Sequence, residues 1–138
     1  MQKFTSIILT GTATVLLALG ASLTAPVVQA QDDDDLTPAI CKDKANPPKE
    51  VVTQGYCLVI DRKKGNCMGC HLIEGMSSGN IAPPMVSMQK RFSDKAKLRE
   101  QISDATKVNP DSVMPPFGKH NILSGDEIDK IVEYVWTL

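Results

Sequence analysis

Cys67-Met68-Gly69-Cys70-His71 is a C-x-x-C-H run, the spacing for covalent attachment of a c-type haem. Each residue type is needed where it stands. Two thiols add across the two vinyl groups of one porphyrin, so they must lie about one turn apart on one face. The histidine that follows falls on the same face and turns its imidazole to the iron as proximal ligand. Two other readings compete. A thioredoxin-type dithiol should follow a strand in a βαβ unit and needs no histidine. A structural zinc site needs a second ligand pair at similar spacing, and the sequence has none.

Outward from the motif, the chain divides into a leader, an acidic arm and one small domain. Lys3, the apolar run Ile7 to Leu19, and Val28-Gln29-Ala30 predict a signal peptide over 1–30, cleaved after Ala30. A membrane anchor is the rival reading. The apolar run is short for the ~20 residues of a span, and Pro26 follows at once. After cleavage no membrane segment is expected. Export agrees with the motif, and the expected location is periplasmic. Asp32 to Asp35 makes 31–49 a flexible acidic segment, leaving 50–138 as the domain.

Charge is unevenly spread. Residues 61–107 carry nine Lys/Arg against five Asp/Glu, while 108–138 carry two against five. A solvated surface of mixed sign explains this as well as a basic collar that steers an acidic redox partner. Aromatic residues make up 4% of the chain and do not interleave with the lysines, which argues against nucleic acid.

Four cysteines are present. With Cys67 and Cys70 given to the porphyrin, Cys41 and Cys57 form an even remainder in an oxidising compartment and are expected to bridge.

The residues around the motif predict short helices joined by long loops. Glu50 to Asp61 is read as helix, residues 72–91 as loop, Asp94 to Ala105 as helix capped by Ser93, and residues 106–123 as loop. Ile40 to Pro48 looks irregular. The last helix is the clearest. Ser124 and Glu127 form a capping box, and Ile128, Ile131, Val132, Val135 and Trp136 follow at helical spacing. Loops this long suit a chain wrapped around a bulky group. The fold class expected is all-α, class I cytochrome c-like, around one covalent haem c.

The second axial ligand must come from Met76, Met85, Met88, Met114 or His120. Met76 lies too near His71 to cross to the far face. Met114, in a loop stiffened by Pro115 and Pro116, is assigned, with His120 as runner-up. Met85 and Met88 are read as packing at the haem edge. The prolines of Ile81-Ala82-Pro83-Pro84-Met85 keep carbonyl acceptors, and Pro83 is expected to orient the His71 imidazole. Pro83, Pro84, Met85, Pro115, Pro116 and Phe117 are candidates for an apolar patch around the haem edge.

Gly65-Asn66-Cys67-Met68-Gly69-Cys70-His71, Asn80-Ile81-Ala82-Pro83-Pro84, Met114-Pro115-Pro116-Phe117-Gly118 and Ile122-Leu123-Ser124 together resemble the SoxX family. These are the small monohaem c-type subunits of the SoxAX cytochromes of bacterial sulfur oxidation. The resemblance covers roughly 50–138 and departs at Ala82, where the pattern carries glycine. It implies a SoxA-like haem subunit as partner, a SoxYZ-like carrier reached through the complex, and a small cytochrome as electron acceptor. In that family the complex joins thiosulfate to a carrier cysteine (an L-cysteine S-thiosulfotransferase). The catalytic haem sits on SoxA, so this chain would not be catalytic alone. A free periplasmic monohaem carrier is the alternative.

Overall fold

The computed structural model describes residues 37–138. The predicted leader at 1–30 and the acidic run at 32–35 lie outside the described residues. Within them are five helices: α1 (Ala39–Lys42), α2 (Val51–Ile60), α3 (Met88–Arg91), α4 (Lys95–Ser103) and α5 (Gly125–Val135). Single 3-10 turns span Cys67–Gly69 and Ala105–Lys107. The described residues form no strand, only an isolated bridge between His71 and Ala82. None of their helices is long and apolar enough to cross a membrane.

α5 organises the core. The Ser124 hydroxyl accepts from the Glu127 backbone N–H at 3.2 Å, and the Glu127 carboxylate accepts from the Ser124 N–H at 2.8 Å. Two of the helix's first free donors are thereby satisfied. Ile128, Ile131, Val132 and Val135 are all buried, while Trp136 is half-buried against the core. α2 crosses α5 at Gly55. A Cβ built there would lie 1.9 Å from the Lys130 carbonyl oxygen, so only glycine allows this approach. Beside that contact, Tyr56 and Tyr134 meet edge to face, with centroids 5.4 Å apart.

α4 also packs on α5 and buries Leu98 and Ile102. Arg99–Asp129 and Lys95–Glu133 ion pairs link the two helices at their exposed edges. The helix is shorter than the sequence reading. Its cap is Asp94, whose carboxylate accepts from the Lys97 N–H at 2.8 Å, and not Ser93, whose hydroxyl instead donates to Asp94. A carboxylate at the positive helix end outcompetes the neighbouring hydroxyl. α1 and α3 are one-turn helices inside segments read as irregular and loop. Tertiary contacts hold both: α3 through Met88 N–H to the Leu138 carbonyl at 2.9 Å, α1 through a disulfide.

That disulfide joins Cys41 to Cys57, with Cα atoms 5.4 Å apart at a sequence separation of 16. It fastens the segment before Pro47-Pro48 to the middle of α2. Removing it as Cys41→Ser, Cys57→Ser is expected to cost about 3 kcal/mol from the closed loop's entropy. Urea unfolding checks this, through a lower midpoint in the double variant.

Candidate functional site: a cavity facing the C-x-x-C-H turn

The turn is set by close backbone contacts. After α2 ends, the Asp61 carbonyl accepts from the Lys64 and Asn66 N–H groups, both at 3.0 Å. Gly65 N–H donates to the Leu58 carbonyl at 3.1 Å, and a Cβ on Gly65 would sit 2.6 Å from that oxygen. Asn66 then takes a left-handed conformation (φ 47°), which asparagine tolerates better than most residues. The chain enters the 3-10 turn at Cys67, and the His71 N–H closes back on the Cys67 carbonyl at 2.9 Å.

A second segment zips along the turn. Gly79 N–H donates to Met68 O, Ala82 N–H to Cys70 O and Met85 N–H to Leu72 O, at 2.8, 3.1 and 2.8 Å. Gly79 is required here, since a Cβ would fall 2.3 Å from the Gly69 oxygen. Ala82 is not among the residues with positive φ, so the backbone here does not require a glycine. This register brings the Pro83 carbonyl 2.7 Å from His71 Nδ1. A carbonyl only accepts, so Nδ1 carries the proton, and Nε2 keeps its lone pair for a metal.

Cys67, Cys70 and His71 share one cavity of about 690 Å³. α3 contributes Met88 to its wall, α4 Leu98 and Ile102, α5 Ile131 and Val135, and the loops add Met85, Phe117 and Leu123. Met114 lines the same cavity; His120 and Met76 do not. His120 is exposed on the surface. The expected apolar patch is corrected at two positions. Met85 and Phe117 are buried inside, while Pro83 and Pro115 are exposed on its lining, joined by Ile81, 82% exposed, Val113, 98% exposed, and Ile122.

The cysteines discriminate between readings. Burial pushes the Cys67 thiol up to about 12, whereas a redox dithiol needs a lowered one. Two thiols and an imidazole with a free nitrogen, at the edge of a large apolar cavity, fit a porphyrin joined at its vinyl groups. A dithiol exchange site or a zinc cage would need neither the cavity nor its shape.

The loop bearing Met114 is tied to α4. The Ser103 carbonyl accepts from Gly118 and Lys119 N–H at 3.0 and 3.1 Å, and Lys119 Nζ lies 3.5 Å from the Asp104 carboxylate. Asp104 is buried, and its other oxygen takes hydrogen bonds from the Thr106 hydroxyl and N–H. The Thr106 hydroxyl, and then Lys119, hold its carboxyl below the usual aspartate range. The sequence reading missed this residue, although Asp followed two positions later by Thr is a local capping signature. A carboxyl lowered by folding stabilises above its unfolded pKa of about 3.9 and loses that contribution as pH falls through the folded value. Asp104→Asn is therefore expected to lower the melting temperature at pH 6. The gap from the unmodified protein should close below pH 4, as thermal melts across pH would record.

Several of the surface cations are paired with carboxylates. Lys64 meets Glu127 at 2.8 Å and Lys97 meets Glu100 at 3.3 Å, besides the α4–α5 pairs. This fits a surface of mixed sign better than a basic collar.

Residues 61–135 match the family described as cytochrome c oxidase, cbb3-type, subunit III. An uncharacterized lipoprotein of Aquifex aeolicus (strain VF5) is 35% identical over 75 residues, which is 53% of this chain and 36% of that protein. The chain thus spans about a third of the length of this relative. The family match runs from the end of α2 through α5, over just over half of the chain, and takes in the haem-type turn and the cavity it faces. The chain belongs to this family of c-type cytochrome domains: it is an all-α, electron-transfer protein with covalently bound haem.

Proposed function

We propose that the protein is the monohaem electron-transfer subunit of a periplasmic SoxAX-type cytochrome. Within that complex, thiosulfate would be coupled oxidatively to a cysteine of a SoxYZ-like carrier. The observation that carries the electron-transfer role is the shared cavity, with His71 oriented by the Pro83 carbonyl and Met114 on the same lining. Cys67 and Cys70 would hold one haem through thioether bonds, with His71 Nε2 and the Met114 sulfur as axial ligands. Bound there, the haem supplies one-electron iron chemistry. A thioether ligand favours the reduced state and leaves no open position for small molecules.

The chain's own residues leave little else to do. Cys41 and Cys57 are joined, and Cys67 and Cys70 are committed to the haem. No thiolate remains for sulfur chemistry, which favours a relay and a catalytic SoxA-like partner. The Sox assignment rests on the residue resemblance. Ile81 and Val113, apolar and exposed at the cavity's rim, support contact with another protein there, either that partner or a small cytochrome acceptor.

The test is a pull-down of the tagged, haem-loaded protein from the periplasm of thiosulfate-grown native cells. One stoichiometric partner carrying its own c-type haem supports the subunit reading. Recovery as a lone monomer overturns it and leaves a diffusible electron carrier.

A further inference from the structure

The cavity has a polar corner that neither the cysteine turn nor the methionine loop uses. Its lining includes two cations, Lys64 and Arg91. Lys64 is next to the cysteine turn and is spent on Glu127 at 2.8 Å. Arg91, at the end of α3, has no carboxylate partner among the described residues. Its Nη1 donates to the Pro84 carbonyl at 2.6 Å and lies 3.5 Å from the Met88 sulfur. A guanidinium has five donor hydrogens in a fixed fork, so Nε and Nη2 remain unspent. Gln101 of α4 lines the same cavity, and its side-chain amide has no hydrogen-bond partner among the described residues. Asn66 lies in the cysteine turn against Gly69, and two further polar lining groups are partly occupied locally. Asn109 Oδ1 accepts from Asp111 N–H, and the Ser112 hydroxyl oxygen from Met114 N–H.

Arg91 and Gln101 also border a second, smaller crevice of about 280 Å³, together with Ser93 and Lys97. The wall they form is therefore shared by the two. Lys97 is itself paired with Glu100, leaving Arg91 as the cation without a carboxylate at this wall.

A haem tethered through its two vinyl positions carries its two carboxylates on the other side of the ring. Carboxylates placed in an apolar cavity demand a cation and hydrogen bonds. We propose that Arg91 and Gln101 form the carboxylate-binding corner of the haem site, with Arg91 pairing one propionate through its free donors. This rests on the haem reading. Arg91 is then a positioning residue that also tunes the haem: neutralising a propionate beside the ring removes a negative charge that would favour oxidised iron.

The test uses the full haem-loaded chain with Arg91→Gln, Arg91→Lys and Gln101→Leu. Haem that stays with the unmodified protein after denaturation establishes covalent attachment first, so failure at that step speaks against the haem reading and not against the corner. Arg91→Gln is expected to shift the redox equilibrium at least tenfold toward the oxidised form, 59 mV for one electron. Arg91→Lys should recover most of that shift. The propionate bending band in resonance Raman spectra should move in both Arg91→Gln and Gln101→Leu. A potential within threefold of the unmodified protein in Arg91→Gln overturns the proposal. So does a lysine variant that falls as far as the glutamine one, since that would reduce Arg91 to its Pro84 contact. If Arg91→Gln does not fold, Gln101→Leu decides: a shifted propionate band supports the corner, and an unmoved band overturns it.

Discussion

Gly55→Ala is expected to unfold the haem-loaded protein at a temperature lower by roughly 12 °C or more. Two effects oppose each other at this position. Alanine favours a helix over glycine by about 1 kcal/mol, which alone would stabilise α2. Against that, the new Cβ would stand 1.9 Å from the Lys130 carbonyl oxygen, 2.7 Å from its carbon and 2.9 Å from Tyr134 Cβ. The first two are backbone atoms of α5 and cannot rotate away. The helices must separate, and the close crossing that buries Val59 and seats Tyr56 on Tyr134 opens with them. Overpacking a tight core costs about 1–3 kcal/mol and occasionally more. Contact with rigid backbone puts Gly55 above the top of that range, about 4 kcal/mol, which leaves about 3 kcal/mol after the helix gain is subtracted, and each kcal/mol moves the melting temperature of a domain this size by about 4 °C or more. Because α5 also lends Ile131 and Val135 to the cavity, the haem absorption should broaden well below the melting temperature. Melts followed by circular dichroism and by haem absorbance check both effects. An unchanged or raised midpoint would mean that the helices do not cross this closely.

What could be read in the sequence was what local chemistry decides. The α5 start needed only Ser124 and Glu127 three residues apart, and its buried face needed only the 3.6-residue period. The C-x-x-C-H turn is local too. α1 and α3 escaped because a single turn is below the length at which a helix holds itself. Cys57 and the Leu138 carbonyl, distant in sequence, hold them in place. The same holds for burial in loops. Phe117 and Met85 look like surface residues among prolines, yet backbone bonds to Ser103 and Leu72 fold their segments inward. Arg91 and Gln101 were missed for a related reason. Nothing adjacent in sequence marks either, and only the packing of α3 beside α4 puts both on one cavity wall.

Met114→Ala is expected to lower the reduction potential by about 0.2 V, within the ~0.8 V that axial ligands span. The far-red sulfur-to-iron charge-transfer band should vanish, and the reduced protein should gain carbon monoxide binding. Of the five candidate ligands, His120 is exposed and Met76 lies off the cavity, which leaves three thioethers on its lining. Met88 is engaged, its N–H on Leu138 and its sulfur near Arg91, and Met85 follows directly on the Pro83-Pro84 segment that supports His71. A ligand opposite His71 must come from another wall, and Met114 sits on the loop that Ser103 and Asp104 fasten to α4. Alanine removes the thioether and leaves those fastenings untouched, so the loss should fall on the iron and not on the fold. A melting temperature close to the unmodified protein's, with the potential and the band both changed, is the expected pair of results. Should the band and potential survive the substitution, Met114 is not the ligand, and Met85→Ala and Met88→Ala become the decisive variants.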